Sequence, residues 1–333
     1  MRRVSGLLTL LLIAAPLSAQ TPVFSYLDAA YTAKIVSTPG EGYVGLTFDL
    51  SGNLLRNDGS NRLWVHNAAS TYSLYGTTTL QNTSIEYLNT SSGFGHGMVQ
   101  GQDGYLYSQG NGQLLRIDRS NGSVTPLAGT SGYLYGMKRI GNDIVYNSYN
   151  DVWRYNTVTN VNSHVFTNNT FIDDLALDPN GNIFVASWGE AAIKIVDPFG
   201  TLLNAIYNSG HQADGMAYGN GSLFANNTDG SITSYAFSGA NYSGSWTQTL
   251  IADGNANYGD LATVGPNGSF YLTRNNQIYD DGTTYGGFSV IELSLVGGGG
   301  FEDPTTAPEP ASLVLLSTGL LGIGVVLRRR QRR

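Results

Sequence analysis

The sequence predicts an all-β fold, a six-bladed β-propeller. Three observations carry the prediction. A phrase of about a dozen residues recurs six times at intervals near 40, each copy reads as a β-hairpin, and no 3.6-residue apolar period of useful length appears between the chain ends. The copies are GLTFDLSGNLL (45–55), GMVQGQDGYLYS (97–108), GMKRIGNDIVYN (136–147), DLALDPNGNIFVA (174–186), GMAYGNGSLFAN (215–226) and DLATVGPNGSFYL (260–272). Their first apolar residues are Leu46, Met98, Met137, Leu175, Met216 and Leu261, spaced by 52, 39, 38, 41 and 45.

Within each copy, short apolar runs flank a Gly/Asn turn such as Ser51-Gly52-Asn53 or Asn180-Gly181-Asn182. A third strand follows at LLRID (114–118), DVWRY (151–155), AIKIVD (192–197) and ITSYAF (232–237), and a fourth at VTPLAG, NSHVFT or LLNAIYN. Four short strands per repeat make a propeller blade. After Leu261 only three strands can be placed, ending in FSVIELS (288–294), while TAKIVS (32–37) is left over before the first repeat. Pairing the two closes the ring and hides both open sheet edges.

The two ends differ from the body. Arg2 and Arg3, the apolar run 7–15 and the small residues Ser18 and Ala19 read as a secretory signal over 1–19, with Leu17 an atypical residue three before the cleavage point. The propeller is expected over 20–296, and a Gly- and Pro-rich linker over 297–307. Pro308, Glu309 and Pro310 come next, followed by 17 uncharged residues, 311–327, and then Arg328, Arg329, Arg330, Arg332 and Arg333. The uncharged run is long enough for a short membrane span, and the arginine cluster acts as a cytoplasmic stop. A plain, uncleaved C-terminal anchor is the alternative.

This ordered tail resembles the PEP-CTERM sorting signal of Gram-negative bacteria. The resemblance implies recognition of Pro308, Glu309 and Pro310 by an exosortase-type membrane peptidase, transient inner-membrane anchoring, surface or extracellular release, and association with exopolysaccharide. The repeat at 173–203 resembles NHL repeats and gluconolactonase/regucalcin-like propellers.

Composition narrows the function classes. The 333 residues hold 43 Gly, 21 Tyr and no Cys, which excludes disulfides, thiolate metal sites and a cysteine nucleophile. Without the two ends, ten basic residues face 24 acidic ones, so the body should repel nucleic acid. No HExxH, Gly-x-Ser-x-Gly or phosphate-cradling loop occurs.

The residues just before each repeat's opening are Val44, His96, Tyr135, Asp173, Asp214 and Gly259, with Asp174 and Asp260 one place later. On a propeller these positions point toward the axis. His96, Asp173 and Asp214 are therefore the candidate metal ligands, and the aspartate oxygens suit Ca²⁺ or another divalent cation. In the lactonase-like family such an ion is held by carboxylate and Asn side chains. By this resemblance Asp173 and Asp214 match the aspartates of the pattern, and Glu41 matches its early glutamate although the residues around it depart from the family's motif; the family's channel Asn is not identified in the sequence. The alternative is that these carboxylates cap turns and bind water. No cofactor is expected on the first reading of the body, a noncatalytic binding or structural module. A metal-dependent lactonase-like hydrolase and a docking platform for another envelope protein are the alternatives.

Overall fold

The computed structural model describes residues 22–37, 45–57, 62–66, 83–87, 96–110, 112–127, 135–207, 209–254, 258–276 and 288–301. These residues form six sheets. Blade 1 comprises Leu46–Phe48, Leu54–Asn57, Arg62–His66 and Thr83–Tyr87, and blade 2 Met98–Gln100, Leu106–Gly110, Gln113–Ile117 and Val124–Pro126. Blade 3 comprises Met137–Ile140, Asp143–Ser148, Asp151–Asn156 and Val161–Thr167, and blade 4 Ile172–Leu177, Ile183–Ser187, Ala192–Val196 and Leu202–Ile206. Blade 5 comprises Ala213–Gly219, Ser222–Asn227, Ser231–Phe237 and Trp246–Gly254, and blade 6 Tyr258–Val264, Phe270–Asn275 and Phe288–Leu295. The first strand of each blade adjoins the first strand of the next, and that of blade 6 adjoins that of blade 1. The first strands thus ring an axis.

Glycine permits this close approach. A Cβ at Gly136 would lie 2.5 Å from the Leu175 nitrogen, and one at Gly215 would collide with the Asp260 carbonyl. The opening Gly of the repeat is therefore a spacing requirement between inner strands. These contacts join strand start to strand start, so the inner strands run in the same direction. Their starts define an upper face of the ring and their ends a lower face.

The core is a ring of six apolar layers, one between each pair of neighbouring blades. Leu54 packs with Leu261, Tyr271 and Val290 of blade 6, and the next residue, Leu55, packs with Met98, Leu106 and Leu115 of blade 2. Val145 faces blade 4, whereas Ile144 and Tyr146 face blade 2. Inner strands buried on both faces read as unbroken apolar runs, as in IFVAS of blade 4, where all five residues are buried.

Buried amides stitch blade to blade. The Asn147 side chain accepts from the Gly136 N–H at 2.6 Å and donates to the Ile172 carbonyl of blade 4 at 2.9 Å. Asn226 donates to the Asp260 and Thr273 carbonyls of blade 6, each at 2.8 Å. Both are wholly buried, so each satisfies backbone groups that the curved ring leaves unpaired.

Two N-terminal strands complete the ring. Tyr31–Ser37 pairs antiparallel with Phe288–Leu295 and becomes the outer strand of blade 6. Phe24–Leu27 adds a fifth strand to blade 5 through Trp246–Gly254, and its Phe24 ring covers the buried Arg274 guanidinium at 5.2 Å. The chain then leaves through Phe301, which is fully buried and stacks against Phe270. The signal segment 1–19, Val44 and the span 311–327 lie outside the described residues.

Candidate functional site on the propeller axis

Three of the inner strands carry a β-bulge at their upper ends. The pairing register shifts between Ile172 and Leu175, between Ala213 and Gly215, and between Gly259 and Ala262. Asp173, Asp174, Asp214 and Asp260 lie within these bulges. A bulge inserts an extra residue and re-aims its side chain, which is how three neighbouring blades direct carboxyls at one another.

Asp174 is wholly buried. Its Oδ2 accepts from the Lys138 Nζ at 3.1 Å and from the Met216 N–H at 2.8 Å, while Oδ1 has no partner. Lys138 Nζ also donates to the Ala262 carbonyl at 2.9 Å. Lys138 belongs to blade 3 and Ala262 to blade 6, opposite it in the ring. The ammonium therefore bridges the axis and serves as the internal counter-charge of the carboxyl group.

Asp173 and Asp214 share a hydrogen bond, and burial pushes both carboxyls up, Asp173 to about 6 and Asp214 further. Asp214 keeps its proton and donates it to Asp173. Repulsion from Asp173, Asp260 and Asp174 adds to the effect at Asp214. Asp260, buried with an unpartnered Oδ2, is raised by desolvation and by Asp173 and Asp174. Burial and mutual repulsion thus hold Asp214 and Asp260 well above the ordinary carboxylate range, while Asp173 accepts the shared proton and Asp174 pairs with the Lys138 ammonium.

His96 stands apart from the acid cluster. Its ring packs at 4.6 Å on Tyr135, and burial lowers its pKa to about 4, so it is neutral. Tyr135 meets Phe171 edge-on at 4.7 Å, and Phe171 meets Tyr149 at 5.5 Å. The Trp188 N–H donates to the Phe171 carbonyl at 2.9 Å. This aromatic row at the upper junction of blades 3 and 4 was legible only as a general excess of Tyr and Trp. Beside it, Glu190 accepts from Lys194, Asn169 and Ser187.

The structure therefore joins Asp173 to Asp214 and leaves His96 in the aromatic row. Among the described residues no three His, Asp or Glu side chains are placed to hold one metal ion. Lys138 supplies the cation at Asp174 Oδ2, while Asp174 Oδ1 and Asp260 Oδ2 stay without a hydrogen-bond partner. Glu41 lies outside the described residues. Sequence inspection showed no nucleophile–base pair. Ser231 does lie beside His211, but its Oγ and the Asp229 carboxylate both meet the same Nδ1, at 2.9 and 2.6 Å. A relay needs the serine and the acid on opposite ring nitrogens.

The comparisons with known proteins separate tail from body. The profile of the PEP-CTERM protein-sorting motif matches residues 306–330. The chain carries a PEP-CTERM sorting motif. This PEP-CTERM motif implies export and membrane anchoring before surface display. Pro308, Glu309, Pro310, Arg328, Arg329, Arg330, Arg332 and Arg333 lie outside the described residues. No curated protein matches the PEP-CTERM chain. Among solved structures, the body is similar to virginiamycin B lyase from Staphylococcus aureus (16% identity, 80% of this chain and 99% of that one, TM-score 0.55). It is also similar to a calcium-binding protein, regucalcin, from Agrobacterium tumefaciens (12%, 86% and 97%, 0.54) and to a luciferin-regenerating enzyme (10%, 82% and 98%, 0.60). At these identities the likeness establishes the fold.

The proton held between Asp173 and Asp214 gives a signed expectation. Both folded-state values lie above the unfolded carboxylate value. Their stabilising contribution is therefore complete below about pH 4 and is lost as pH rises toward 6 and, through Asp214, beyond. Asp214→Asn donates the same hydrogen bond at every pH. It should stabilise the propeller by about 1–3 kcal/mol at pH 8 and change little at pH 4. Thermal melts across that range check it; an equal loss at both pH values would mean that the carboxyl serves only as packing.

Proposed function

We propose that the chain is an exported PEP-CTERM propeller, released by an exosortase-type peptidase, that binds exopolysaccharide through the aromatic row on its upper face. The observation that supports this reading is where Tyr and Trp stand exposed. Tyr149, Trp188 and Tyr207 are each about half exposed, and all three lie in upper-face turns of blades 3 and 4. Such rings offer an apolar face and a polar tip, which suits a sugar ring and its hydroxyls. Glu190, Asn169 and Thr170 line the same junction with polar groups. At the axis, by contrast, Lys138 is already engaged by Asp174 and the Ala262 carbonyl, so recognition is assigned to the rim.

Tyr149 adds a second support. It occupies the first position of the two-residue turn joining Ser148 to Asp151, with φ of 57°. Glycine is the natural residue there, and a bulky one costs about 1–3 kcal/mol. The strain holds the ring outward over Phe171.

Tyr149→Gly should therefore raise stability by about 1 kcal/mol while lowering affinity for the host polysaccharide, and Trp188→Ala should weaken binding as well. Binding measured by affinity electrophoresis or a glycan array decides the matter. Unchanged affinity in both variants would favour the docking-platform alternative, and turnover of a lactone would favour the hydrolase.

A further inference from the structure

The lower face of the propeller differs in chemistry from the upper one. Its turns present Leu50, Val158 and Phe199, and the last inner-to-outer excursion ends at Val296; all are exposed, Phe199 at 90%. Val161 and Leu202, at the lower ends of two outer strands, are exposed as well. None of these six carries a polar atom on its side chain, whereas the exposed Tyr149, Trp188 and Tyr207 all lie above. The aspartates of the same lower turns point their oxygens back into the backbone. Asp49, Asp178 and Asp197 each accept N–H bonds within their own turn.

The tail leaves from this lower face. The Phe301 N–H donates to the Gly268 carbonyl, in the lower turn of blade 6, at 2.8 Å. A Cβ at Gly219, the lower end of blade 5's inner strand, would collide with the Phe301 carbonyl. Nine residues, 302–310, then lead to Ala311, where the uncharged run begins. Even fully extended, they reach roughly 35 Å.

We propose that, while the tail is anchored, the propeller rests with its lower face on the bilayer surface, Leu50, Val158, Phe199 and Val296 entering the headgroup region, and presents its upper face outward. The inference rests on the tail being a membrane anchor. The short tether raises the effective concentration of the lower face at the lipid, so a contact too weak to hold a free protein suffices. Cleavage at the tail removes the tether and frees the body. Because hydrogen bonds hold Asp118 and Asp197, in two of the lower turns, below the usual carboxylate range, a zwitterionic surface suits this face better than an anionic one.

The chain has no Cys, so single cysteines report cleanly. Phe199→Cys, Val158→Cys and Tyr149→Cys would each be labelled with a fluorophore in the full chain, inserted into phosphatidylcholine nanodiscs. A nitroxide at the lipid headgroup should quench the labels at 199 and 158 at least about twofold more than the label at 149, since an interfacial residue sits within roughly 10 Å of that depth. Equal quenching at all three positions overturns the orientation. Labels at 199 and 158 shielded from both the lipid nitroxide and an aqueous quencher also overturn it, in favour of a second copy on that face. A chain that fails to insert at all overturns the anchor reading first, and this inference with it.

Discussion

Lys138→Met is expected to destabilise the propeller by about 3–5 kcal/mol, the loss seen when one partner of a buried ion pair is removed. Lys138 is the cation that Asp174 contacts, at 3.1 Å, and Asp174 has no exposure to solvent. Methionine keeps much of the volume and removes the charge together with the bond to the Ala262 carbonyl across the axis. Burial already raises Asp174, and Lys138 is the main influence holding it down. Without the ammonium, the folded carboxyl would hold its proton to higher pH than the unfolded one. The variant's stability should therefore be closest to the parent below about pH 4 and fall away as pH rises. Urea titrations at several pH values measure this, and Lys138→Met with Asp174→Asn should recover much of the loss. A pH-independent defect would reduce Lys138 to a packing side chain.

Deleting 22–37 is expected to abolish cooperative folding. The segment supplies the outer strand of blade 6 and the fifth strand of blade 5. Ala33, Ile35 and Val36 are buried in it, and Phe24 covers Arg274. Its removal leaves two sheets with unprotected edges and a buried guanidinium open to solvent. The lost pairing and burial compare with the entire stability of a domain, about 5–15 kcal/mol. Circular dichroism and size exclusion of the purified product test it. A monomeric truncation with an unchanged melting temperature would show that the ring closes without these strands.

Much of this architecture is legible in the sequence because a propeller repeats its instructions. The opening Gly or Asp, the apolar pair and the Gly/Asn turn recur wherever an inner hairpin must form, and TAKIVS stood out as a strand without a partner. Phe24–Leu27 did not stand out, since four residues are too few to show a period. The carboxyls at the axis were legible by position, because Asp173 and Asp214 precede equivalent openings. Their bulges, which bring them together, leave no mark in residue type. Lys138 was invisible for a different reason. It looks like an ordinary polar residue after Met137, and only the curvature of six blades brings its ammonium to a carbonyl of the opposite blade. Asn147 and Asn226 likewise close the same phrase as Ser108 and Ala186, and nothing local distinguishes an inter-blade stitch from a surface amide.

The clasp between Tyr31–Ser37 and Phe288–Leu295 also sets an order of events. The first part of the body to be made must wait for the last before either can be satisfied. Contacts so distant along the chain form late and slowly. Closure of blade 6 thus couples the two ends of the body: without Phe288–Leu295, the strand Tyr31–Ser37 has no sheet to join.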